Sequence, residues 1–117
     1  KLLEETHIFA YPSIWPETSC ISAIESMAAG CEIVTTNLGA LYETCAPFGT
    51  IVSFDRNFDN LEKKYSKVLS NSIKNYWSDK NQKKLRLQHE IINATYSWDV
   101  RSLEWKSFFD EARKLKA

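Results

Sequence analysis

All three glycines and all three prolines of this 117-residue chain lie at or before Gly49, and everything after it carries neither. Glycine and proline are the residues that interrupt regular structure, so the first half must be a series of short elements and the second is free to run as long helices. The apolar pattern agrees. His7 to Tyr11 is a short apolar run closed by Pro12-Ser13, which predicts a buried strand. A helix is predicted next, with Thr18 or Ser19 as its cap, an apolar face of Ile21, Ile24, Met27 and Ala28, and Gly30 as its left-handed stop. Cys31 to Thr36 reads as a second strand, Leu41 to Cys45 as a short helix ended by Pro47, and Thr50 to Phe54 as a third strand. Residues 1–6 read as the last turn of a helix.

Apolar strands that alternate with helices over short connections call for a parallel sheet covered on both faces, because parallel neighbours need crossover connections. The expected fold class is therefore α/β, a three-layer domain with a short parallel sheet of about three strands and a helical C-terminal tail. Three strands are few beside the five or six of a typical sheet, so the chain is expected to be the C-terminal part of a larger domain. In the tail, Leu61, Tyr65, Val68, Leu69, Ile73 and Tyr76 trace one helical stripe, and Val100, Leu103, Phe108, Ala112 and Leu115 trace another. A weaker helical stretch joins them from about Asp79 to Ala94. No internal repeat, low-complexity tract or flexible linker divides the chain.

Fifteen basic and fifteen acidic residues cancel, which argues against a nucleic-acid binder, and no apolar run is long enough to span a membrane. The cancellation hides an asymmetry: residues 1–55 hold one Lys and seven acids, net −6, whereas residues 56–117 hold fourteen Lys or Arg and eight acids, net +6. The basic face that includes Lys63, Lys64, Lys67, Lys74, Lys80, Lys83, Lys84 and Arg86 suits either solvent or an anionic membrane surface, the solvated face being the plainer account. Three widely spaced cysteines, Cys20, Cys31 and Cys45, form no Cys-x-x-Cys pair and have only His7 and His89 as potential co-ligands, so reduced thiols and no metal are expected. With no leader visible, a cytoplasmic location is expected, with the inner face of a membrane as its variant.

The residues with chemistry lie where the first strand gives way to the first helix. Ligands of open α/β sheets bind at the carboxyl ends of strands, against helix N-termini. Here Glu17 stands just before a helix start and Glu25 eight residues on, about 12 Å along a helix axis. Between them the amides of Thr18 to Ile21, among them Ser19, Cys20 and Ile21, are left without helical partners at the positive end of the dipole. A long ligand matches that order: hydroxyls for one carboxylate, anionic oxygens for the amides, vicinal hydroxyls for the other.

Pro12-Ser13, Glu17, Glu25, Met27-Ala28 and Gly30, followed by an apolar strand, resemble the donor-site motif of retaining, sugar-nucleotide-dependent glycosyltransferases of family 4, which have the GT-B architecture of two Rossmann-like domains. The resemblance covers residues 1 to about 54. It implies that residues 1–117 are the C-terminal portion of a donor-binding domain, with the donor site in 1–56 and a helical tail in 57–117. It further implies that Glu17 contacts donor-sugar hydroxyls, that Glu25 contacts the ribose, and that backbone amides of Ser19, Cys20 and Ile21 contact sugar or diphosphate. The implied substrate is a nucleotide-diphosphate sugar, transferred with retention to a glycan or lipid-linked acceptor and without a bound metal. The acceptor domain and the basic residues that hold the diphosphate are expected upstream, so this chain alone is expected to be inactive. The sequence departs from the family where Thr18-Ser19-Cys20 replaces small, Gly-containing residues, and at Ser26 and Ala40.

Other readings exist for each feature. Two glutamates eight apart are on their own a solvated face; Glu43 reads as a surface residue; Cys20 reads as a bystander thiol. His7 and His89 read as structural or exposed, and Trp15 as either a wall of the site or packing. The rival function is a non-catalytic α/β module that binds a nucleotide sugar or a protein. A dinucleotide oxidoreductase is disfavoured because no Gly-x-Gly-x-x-Gly follows a strand.

Overall fold

The computed structural model describes residues 1–116. At its centre three parallel strands, β1 (Ile8–Tyr11), β2 (Glu32–Thr36) and β3 (Thr50–Val52), lie in the order β1-β2-β3. Ile8 is level with Glu32, and Val34 with Thr50. The crossovers are α1 (Ile21–Ala28) and α2 (Leu41–Cys45); α3 (Phe58–Asn75), α4 (Asp79–Tyr96) and α5 (Trp98–Lys116) follow. All five residues of β2 are buried, as a central strand covered on both faces requires.

The strand period of two sends neighbouring side chains to opposite layers. Ile33 joins Ala23, Met27, Leu41, Cys45, Phe48 and Ile92 in the core under α1, α2 and α4. Val34 joins Val52, Leu61 and Tyr65 in the core under α3. The result is the expected three-layer, partial Rossmann-like α/β arrangement.

Several local expectations are corrected. Residues 1–6 hold a single 3-10 turn, Leu3–Glu5, and the third strand stops at Val52, before Phe54. Ile21 is 65% exposed; the buried face of α1 is Ala23, Ser26 and Met27. Ile21 is the first residue of that helix and points away from Ala23, while Met27 is buried and Ile24 and Ala28 pack half-buried against the same core, so of the expected face only Ile21 is turned outward. In α3 Leu61 and Tyr65 are buried, but Ser72 takes the inward position and Ile73 is exposed. The stripe in α5 forms no core, since no residue of that helix is buried: Val100 and Ala112 are half-buried, and Leu103, Phe108 and Leu115 are exposed. No helix of the described residues is long and apolar enough to cross a membrane.

Candidate functional site

The turn after β1 is fixed first. The Thr36 hydroxyl, at the end of β2, donates to the Ser13 carbonyl at 2.7 Å, and the Ser13 amide donates to the Tyr11 carbonyl at 2.8 Å. The chain then runs extended, and Glu17 pairs in parallel with Gly39, with the Ala40 amide donating to the Glu17 carbonyl at 2.7 Å. One residue of α2 holds the next stretch: the Thr44 hydroxyl donates to the Ser19 carbonyl at 2.8 Å.

These ties explain why neither Thr18 nor Ser19 caps α1. Held extended by the Glu17–Gly39 bridge, the chain turns only at Cys20, which takes the N-cap in the left-handed conformation (φ 59°, ψ 77°) with no side-chain cap. A left-handed residue followed by a right-handed one makes successive amides converge into a concave nest suited to an anion. Among the described residues the amides of Ser19, Cys20, Ile21 and Ser22 donate no hydrogen bond, whereas those of Ala23 and Ile24 are already turned to the Cys20 carbonyl. The Cys20 side chain itself packs against the core under α1.

The two carboxylates are held differently. Glu17 is half-buried, and the Tyr11 hydroxyl donates to its Oε1 at 2.5 Å, leaving Oε2 without a partner among the described residues. That hydrogen bond to the carboxylate, reinforced by desolvation, pushes the Tyr11 phenol up to about 12. Tyr11 was not singled out from the sequence; its place at the C-terminal end of a strand is the signal that pointed to it. Glu25 is exposed, unpaired among the described residues, and lines a cleft of about 370 Å³ together with Ser19, Ile21, Ile24, Tyr96, Trp98, Arg101 and Trp105. Ser19, Ile21 and Glu25 thus share one cleft, while Glu17 and Cys20 stand beside it outside its lining. Trp15 is exposed, and Glu43 is an exposed residue of α2.

The far end of α1 is gripped by α4. Gln88, wholly buried, donates from Nε2 to the carbonyls of Met27 (3.1 Å) and Cys31 (2.8 Å). The Ala28 carbonyl is met by His89 Nδ1 at 2.6 Å and Asn93 Nδ2 at 2.9 Å. His89 is therefore structural, and His7 packs edge-on against the rings of Tyr76 and Trp77. Burial raises the thiol of Cys31 and lifts that of Cys45 to about 12. Among the described residues no three of His, Cys, Asp and Glu gather closely enough to hold a metal ion.

A family model described as glycosyl transferases group 1 matches residues 1–92, from the first turn into α4. Among curated proteins none matches the chain, and among solved structures none does.

Proposed function

Since the chain belongs to the group 1 glycosyl transferases, we propose that it binds a nucleotide-diphosphate sugar and serves transfer of the sugar, with retention, to a glycan or lipid-linked acceptor. Glu17 takes hydroxyls of the donor sugar through its open Oε2, with Tyr11 holding the carboxylate in place. The amides of Ser19, Cys20 and Ile21 take the anionic oxygens, and Glu25 takes the vicinal hydroxyls of the ribose. In this reading the diphosphate charge is met by main-chain donors at the positive end of α1, and no metal is invoked.

The observation that carries the proposal is the set of unpartnered amides around left-handed Cys20, opening beside a cleft that Glu25 lines. Unpaired donors at a helix N-terminus favour an anion, and the carboxylates flanking them select what the anion is attached to.

The test is calorimetric titration of the full-length protein with a panel of nucleotide sugars. A charge-assisted hydrogen bond contributes about 1.5–3 kcal/mol, so Glu25→Ala should weaken the best donor by roughly 10- to 100-fold. Unchanged affinity in that variant, or no binding of any nucleotide sugar by the wild-type protein, refutes the reading. Binding without turnover would instead favour a non-catalytic module.

A further inference from the structure

The wall of the cleft facing Ser19, Ile21 and Glu25 is built by the corner between α4 and α5, from Tyr96, Trp98, Arg101 and Trp105. Three of these four residues lie in α5, beyond residue 92, where the family match ends. Trp98, Arg101 and Trp105 recur at helical spacing and so share one face of α5. Both indoles are open to water, Trp98 at 85% and Trp105 at 58%, and no residue of α5 is buried. Within α5 Trp105 stacks on Phe109 and meets Phe108 edge-on, yet that packing leaves more than half of each indole uncovered.

Arg101 is aimed by two contacts. Its guanidinium carbon lies 4.9 Å from the centroid of the Tyr96 ring, and Nη1 donates to Glu104 Oε2 at 2.6 Å. The remaining guanidinium donors have no partner among the described residues. The pair with Glu104 is exposed on both sides and hence weak, so a more highly charged oxyanion can displace or share it. The cleft has the make-up of a small-molecule site: apolar and aromatic walls, a few convergent polar groups, and a volume at the lower end of the ligand-binding range.

We infer that α5 completes the donor cleft, Arg101 taking a phosphate of the nucleoside diphosphate and the indoles of Trp98 and Trp105 forming the platform on which its base stacks. The inference rests on the donor reading given above. Charge complementarity selects this occupant: a cation and a row of free amides face an anion, a carboxylate faces ribose hydroxyls, and flat π-faces are left for the one planar apolar group such a ligand carries. Stacking is tolerant of base identity, so the platform gives affinity more than choice of base.

The experiment uses the full-length protein, titrated calorimetrically with UDP, GDP, ADP and CDP and with the matching nucleosides. Arg101→Gln should weaken the tightest nucleoside diphosphate about ten-fold or more and leave its nucleoside within about two-fold, because a bidentate phosphate contact is lost and a base contact is not. Arg101→Lys should recover part of the loss. Trp105→Ala should weaken diphosphate and nucleoside alike. Should Trp105→Ala lose helix content by circular dichroism, Trp105→Leu, which keeps apolar contact without a π-face, decides in its place. If Glu25→Ala weakens the diphosphate while the Arg101 and Trp105 variants do not, the role of α5 is refuted and the donor reading stands. If none of the variants weakens it, both fall.

Discussion

Gly39 and Gly30 both occupy the left-handed region, at φ 61° and φ 89°, yet alanine should cost very different amounts at the two. A Cβ on Gly30 would meet nothing within 4 Å, so only the backbone conformation is penalised, at about 1–2 kcal/mol. A Cβ on Gly39 would lie 2.5 Å from the Glu17 carbonyl oxygen, 2.6 Å from its nitrogen and 2.8 Å from the Pro16 carbonyl carbon. All three are backbone atoms, so no side chain can swing aside. Relief requires the Glu17 segment to move, which sacrifices the bond from the Ala40 amide, about 0.5–1.5 kcal/mol, and adds the about 1–3 kcal/mol typical of overpacking.

Gly39→Ala should therefore cost about 2.5–6.5 kcal/mol, at least about 1.5 kcal/mol more than Gly30→Ala. At roughly 4 °C per kcal/mol for a domain of this size, the melting temperatures of the two variants should differ by about 6 °C or more. Urea denaturation followed by circular dichroism gives the same comparison free of the temperature term. Equal losses in the two variants would show that the extended segment before α1 is not held against Gly39, and with it the account of why α1 starts at Cys20 would fail. Because the displaced backbone is that of Glu17, the Gly39 variant should also weaken nucleotide-sugar binding under conditions where it remains folded.

Gln88→Leu keeps volume but strips the buried carbonyls of Met27 and Cys31 of a donor, and should lower unfolding free energy by about 2 kcal/mol in urea; an unmoved midpoint would show that α4 does not hold α1 through this residue. Tyr11, Tyr65 and Cys45 all have folded pKa values raised to about 12, against 10.0 for the phenols and 9.0 for the thiol. For each, the fold favours the neutral form, so its stability is complete below the unfolded value and is lost as pH rises from about 9 through 12. A stability profile that stays flat across this window would contradict it, and Glu17→Gln should bring the Tyr11 phenol back toward 10.0 in a spectrophotometric titration.

The order of strands and helices was legible because it rests on apolar runs broken by glycine and proline, and these are local signals. What was not legible depends on contacts between distant segments. Thr18 and Ser19 have the side chains of capping residues, but a bridge to Gly39 and a hydroxyl from Thr44 keep that stretch extended. Cysteine carries no signal for the left-handed region, so the departure from small, Gly-containing residues at 18–20 concealed that Cys20 keeps the backbone shape a glycine would give there. Gln88 lies in the stretch with the weakest helical pattern; its spacing from Leu85 and Ile92, which puts all three on one buried face, is the clue the sequence carries. The stripe in α5 is legible as a helical apolar face, but its period says nothing about what covers it.

The precision of the site then comes from outside the helix that carries it. An eight-residue helix is about 12 Å long and too short to be stable in isolation. α1 keeps its place because both ends are tied to other elements: Gln88, His89 and Asn93 of α4 hold its last carbonyls, while Gly39 and Thr44 hold the chain just before its first amides. The carbonyl end has its hydrogen bonds filled by side chains and the amide end has its donors left open, so the helix is anchored through the pole that cannot bind an anion. α4 has a second part in the same arrangement, because its last residue, Tyr96, orients Arg101 over the opposite wall of the cleft. One helix thus fixes both the floor and the far wall, and a change at Gln88 should be felt at Ser19 and Arg101 without touching either.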